Sequence, residues 1–136
     1  MRALALLPLL ALLSGCARDL GPEAVYRALV QAVADRDADR AWSLLSTASQ
    51  KRLDARAREV AARAPGVVPA SGRALLVGDA ALAAPEVKSV AVRSQDAERA
   101  VLRVEEEGRP PREVLLVREG SRWRVELPMP EAVPAR

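Results

Sequence analysis

The sequence predicts an α+β fold, with three N-terminal helices packed on one face of a curved antiparallel sheet of about four strands. Two changes of period carry this expectation. Between residues 22 and 64 apolar side chains recur at spacings of three and four, as on an amphipathic helix, and from Glu86 onward they alternate with polar ones, as on a strand. Composition agrees: 136 residues, 50% of them hydrophobic and 29% charged, suit one globular unit with its own core and leave no room for a multidomain enzyme.

Met1, Arg2 and the apolar run from Ala3 to Leu13 form a short positive start followed by a hydrophobic stretch, the layout of a secretory signal. The run is too short to be a membrane-spanning helix, which needs about 20 residues. Leu13-Ser14-Gly15-Cys16 resembles the lipobox of bacterial lipoproteins. That resemblance implies cleavage between Gly15 and Cys16 and a thioether-linked diacylglycerol on Cys16, usually with an N-acyl chain. Residues 1–15 are then a signal peptide, 16–21 the lipidated cysteine and a spacer, 22–127 the domain, and 128–136 a Pro-rich tail. Two or three acyl chains anchor durably where one is marginal, each buried CH2 contributing about 0.8 kcal/mol. The alternative, a lone buried cysteine, does not account for a cysteine placed directly after an apolar leader. Ala17 follows Cys16 where an inner-membrane protein resembling this group would carry Asp, so outer membrane is expected over inner membrane.

Pro22 suits the first turn of a helix and Glu23 its positive dipole end; Val25, Leu29, Ala32 and Val33 give that helix an apolar face to about Ala34. Asp37 is placed to cap a short second helix whose apolar side is Ala41, Trp42, Leu44 and Leu45. Ser46 and Thr47 open a third, Thr47 with Gln50 three residues later resembling a capping box. It runs to about Ala64, with Leu53, Ala57, Val60, Ala61 and Ala64 on its buried stripe and Arg52, Arg56 and Arg63 opposite. Pro65 and Gly66 end it, residues 67–72 read as a loop, and Ala74 to Leu82 leans towards helix over a short strand.

Val90 and Val92, then Ala100, Leu102 and Val104, supply the inward positions of a first hairpin across a polar turn at residues 94–96. Gly108, Pro110 and Pro111 break the chain before a third strand from Glu113 to Arg118. Glu119, Gly120 and Ser121 turn it into a fourth, Arg122 to Leu127, with Trp123, Val125 and Leu127 inward and Arg122, Arg124 and Glu126 outward. Pro128, Pro130 and Pro134 mark an extended tail.

This order of elements resembles the nuclear-transport-factor-2-like superfamily, in particular its small bacterial lipoproteins of unknown function. The residues that carry the resemblance are the acidic turn and short helix Asp35 to Ser46 and the ending Gly120-Ser121-Arg122-Trp123-Arg124-Val125-Glu126-Leu127. It covers about Pro22 to Leu127 and implies a cone of sheet with helices in its mouth, frequently enclosing a pocket. Some members are enzymes and many only bind.

Histidine is absent and Cys16 is the only cysteine, so a Ser-His-Asp triad, a Cys-His pair and a His-ligated zinc site are closed to this chain. Asp35, Asp37 and Asp39 have the spacing of a calcium loop, but Arg40 stands where Gly is needed and Ser46 where a bidentate Glu belongs; the aspartates are read as helix caps and first-turn acids. No metal or cofactor is expected. The net charge is +3 for the precursor and +2 without Arg2, and it lacks the basic stripe of a nucleic-acid binder. The third-helix arginines with Lys51, and Glu105 to Glu107, are read as solvated charge, anionic lipid or cell-wall polymer being the alternative for the basic face.

The expected function is therefore non-catalytic: a membrane-tethered envelope domain, held through Cys16, that binds a partner protein or small apolar ligand. Tyr26, Trp42 and Trp123 are the candidate pocket-lining residues, although a core-edge tyrosine and two core tryptophans are the plainer roles. One alternative is a small isomerase or hydrolase using a pocket carboxylate with Tyr26, recognisable by a cavity of about 300 Å³ or more holding a buried acid. The inward strand positions named above offer no such acid. The other alternative is a structural component of an envelope assembly.

Overall fold

The computed structural model describes residues 19–78 and 84–128. The leader, Cys16 and the tail from residue 129 lie outside the described residues, as do residues 79–82 of the predicted Ala74–Leu82 element. The described chain runs α1 (Pro22–Ala34), α2 (Ala38–Ser43), α3 (Thr47–Arg63), α4 (Gly72–Leu76), then β1 (Val87–Gln95), β2 (Arg99–Glu106), β3 (Arg112–Glu119) and β4 (Arg122–Glu126). The architecture is α+β, with the four strands in an antiparallel meander of order β1-β2-β3-β4. Four helices rather than three precede the sheet among the described residues. The fourth begins at Gly72, inside the segment expected to be loop, because Ser71 caps it by accepting from the Ala74 N–H. None of the described helices is long and apolar enough to cross a membrane.

The helix starts follow local chemistry. Pro22 occupies the first turn of α1, and Asp37 caps α2 by accepting from the Arg40 N–H at 3.1 Å. At α3 the cap is Ser46, whose hydroxyl accepts from Ser49 N at 3.1 Å. The expected Thr47–Gln50 box is replaced: Thr47 N donates to Glu119 of β3 at 2.8 Å, and the Gln50 amide donates to the Trp42 carbonyl at 2.8 Å.

The core lies between α1 and the inner sheet face. Val25, Tyr26, Leu29 and Ala32 of α1 are buried there with Ala100, Leu102, Val104, Val114, Leu116, Trp123 and Val125. The pairing Ala100↔Leu116, Leu102↔Val114 and Val104↔Arg112 places alternate residues of β2 and β3 on this face. Val92 also pairs with inward Leu102, but it lies on the edge strand and is exposed. Each edge is blunted by helix-side polar groups, which limits unwanted strand addition. Glu23 of α1 accepts from the Val92 N–H at 3.0 Å, and the link between α2 and α3 bonds to β4 through Ser46 N to Val125 O and Val125 N to Leu44 O, both 2.9 Å.

Candidate functional site

A cavity of about 700 Å³ opens between α1 and the inner end of the sheet. Its apolar walls include Leu29, Val30 and Val33 of α1, Leu76 of α4, Val114 of β3 and Leu127.

The polar end of the cavity is built from three side chains. Tyr26 comes from α1, next to Val25 on the buried face. Glu106 is the last residue of β2 and Arg112 the first of β3, so the five-residue turn at 107–111, with Gly108 at φ 69°, brings them together. Arg112 Nη2 donates to Glu106 Oε1 at 2.7 Å and to Tyr26 Oη at 2.8 Å, and Arg112 Nε reaches the same Glu106 oxygen at 3.2 Å. The Glu106 side chain is only 6% exposed whereas that of Arg112 is 41% exposed, so the acid sits beneath the guanidinium. Glu106 Oε2 is shielded and has no hydrogen-bond partner among the described residues.

The hydrogen bonds from Arg112 hold the Glu106 carboxyl below the usual carboxylate range, and they outweigh the burial that pushes the other way. Bonding to Glu106 likewise raises the Arg112 guanidinium, and burial raises the Tyr26 phenol. At neutral pH the site thus holds an ionised pair and a protonated phenol. Tyr26 accepts from Arg112 and donates to no acceptor among the described residues, and the two Nη1 protons of Arg112 likewise have none. The site therefore offers hydrogen-bond donors at the end of an apolar chamber.

Of the residues expected to line a pocket, Tyr26 is part of the wall of this cavity, and Trp42 and Trp123 are not. Trp123 is 2% exposed in the core, with the Arg118 guanidinium 4.5 Å from its ring centre. Trp42 packs half-buried against the core beneath Arg73. The reading of Glu105 to Glu107 as solvated charge holds for Glu105 and Glu107, which pair with Arg103 and Lys88, and fails for Glu106. The expectation that inward strand positions carry no acid fails at the same residue. The alternation Ala100, Leu102, Val104 continues to Glu106, and Val114, Leu116 extends back to Arg112. Following each period one step further finds both.

The acidic turn disperses. Asp35 accepts from Gln31, Asp37 caps α2, and Asp39 pairs with Arg73. On α3, Arg56 pairs with Glu59 as a solvated face predicts, but Arg52 turns to the sheet, where it bonds Glu126 Oε1 at 2.8 Å and the Leu127 carbonyl at 3.2 Å. Glu126 is correspondingly half-buried rather than outward-facing, its second oxygen accepting from Ser46 at 2.5 Å. Compared with known proteins, the chain matches no family model, no curated protein and no solved structure.

Proposed function

We propose that this is a lipid-anchored domain of the bacterial cell envelope, of the cone-shaped nuclear-transport-factor-2-like kind, which binds a small and largely apolar ligand without chemically changing it. The observation that carries the reading is the 700 Å³ cavity, a volume in the range of small-molecule sites, with apolar walls and one polar end. The order of helices before an antiparallel meander, with α1 laid over its inner face, supports the fold assignment. The lipobox-like Leu13-Ser14-Gly15-Cys16 supports the anchor, with the outer membrane favoured.

A second reading rests on Glu106, a buried acid in a cavity wall, acting as the base of an isomerase or hydrolase with Tyr26 as donor. Two features favour binding instead. A carboxylate held ionised by two arginine hydrogen bonds has low affinity for a proton, and its remaining oxygen is shielded from anything entering the cavity.

The test of the cavity uses N-phenyl-1-naphthylamine, a neutral dye that brightens in apolar surroundings. The domain is expected to bind one dye per chain, and Val30→Trp, which puts an indole into the cavity from α1, is expected to abolish the signal while leaving the circular dichroism spectrum intact. Absence of dye binding to the folded domain, or undiminished binding to the variant, overturns the proposal.

A further inference from the structure

The geometry points to a ligand whose polar end is a neutral carbonyl oxygen, as in an ester or amide, received by Arg112 Nη1 and the Tyr26 hydroxyl, with Glu106 excluding a carboxylate head group. This rests on the cavity reading above and adds the chemistry of the ligand's polar end.

Arg112 is the only cation of the three-residue cluster, and it is both accessible and short of acceptors. Its Nε and Nη2 are committed to Glu106 and Tyr26, which fixes the plane of the guanidinium and leaves Nη1 with two donors. Tyr26, fixed by the same bond, adds a donor. An oxygen acceptor satisfies such a site, whereas a head group with donors alone finds no partner on Arg112.

Charge selects among acceptors. The Glu106–Arg112 pair is neutral as a unit, and the cavity's remaining charged wall residues, Arg27 and Glu86, also balance. A carboxylate entering this end would leave water for a site whose cation is already neutralised, with a second carboxylate directly behind it. A carbonyl oxygen brings no charge and loses little hydration. Discrimination of this kind comes from a charge arranged against the wrong ligand as much as from bonds to the right one. Glu106 acts here as a positioning residue: it touches Arg112, not the ligand.

Methyl decanoate and decanoate, equal in chain and different in charge, test this by displacement of the naphthylamine dye at pH 7. The ester is expected to bind at least about tenfold more tightly to the wild-type domain, the discrimination a single uncompensated charge typically supplies. In Glu106→Gln, Arg112 becomes an unneutralised cation; decanoate binding is expected to strengthen by about tenfold while the ester changes by less than about threefold. A merely structural role for Glu106 would weaken both alike. If the variant does not fold, the wild-type ratio still decides. Equal affinities, or tighter decanoate binding to the wild type, overturn the head-group inference while leaving the cavity reading standing. Dye binding that neither compound displaces also overturns it, and failure of the dye itself to bind is the separate failure of the cavity reading.

Discussion

Glu106 shows how one side chain sets the character of a site. A buried ionised carboxylate costs several kcal/mol in lost hydration unless it is paired, and here a single arginine supplies the pairing to one oxygen only. Stability is therefore linked to pH. The folded-state carboxyl lies below its unfolded value, so its contribution is complete above the ordinary glutamate value of about 4.3 and is lost as the pH falls through the folded value. Between pH 7 and pH 3 the urea midpoint of the wild type is expected to fall more steeply than that of Glu106→Gln, which has no proton to take up. Parallel slopes would show that Glu106 titrates alike in the folded and unfolded chains. Tyr26 works in the opposite direction: its phenol is raised, so its contribution is complete below the ordinary phenol value and disappears only as the pH climbs through the raised one.

Among the elements, α1 packs over the inner sheet face and α3 adds a polar clip to the end of β4. At the start of α3 Ser46, Ser49 and Arg52 gather around Glu126, and the Leu127 N–H donates to Ser49 Oγ at 2.8 Å, so the end of β4 is clipped to the first turns of the helix. Further along, α4 docks through Gly72, which is buried and donates its N–H to Asp54 Oδ1 at 2.9 Å. A Cβ at Gly72 would lie 2.8 Å from both the Asp54 backbone nitrogen and the Trp42 ring. One of these contacts is helix backbone and cannot yield without moving α3 from α4. Gly72→Ala is accordingly expected to cost about 1–3 kcal/mol, read as a lowered midpoint in urea denaturation. An unchanged midpoint would mean that α4 shifts without loss. The hairpin ends are simpler: Asp96 accepts from Glu98 N and Arg99 N, both at 2.8 Å, and these bonds lower its carboxyl. Gly120, at φ 62°, leads the two-residue turn into β4, a conformation that favours glycine.

For the whole molecule, the proposed anchor and the cavity are tested separately. The proposal of a lipid anchor rests on the apolar leader and Cys16. Cys16→Ser is expected to abolish incorporation of labelled palmitate and to release the protein from membranes, whereas dye binding by the domain continues. Unchanged labelling would refute the lipoprotein assignment.

The sequence by itself determined the class of architecture, the positions of most helix and strand boundaries and the candidate anchor, because each depends on neighbours along the chain: a period of 3.6 or 2, a proline at a helix start, a cysteine after an apolar leader. Asp37 and Pro22 act locally, and both stand where their chemistry predicted. Only the tertiary structure decided that Glu106 and Arg112 meet Tyr26, that Arg52 turns inward to Glu126, and that Gly72 begins a helix against Trp42. Those outcomes depend on which faces are brought within a few ångströms across long sequence separations, 86 residues between Tyr26 and Arg112. A charged residue at the end of a strand reads the same whether it meets water or the wall of a chamber; the helix packed over it makes the difference by excluding solvent.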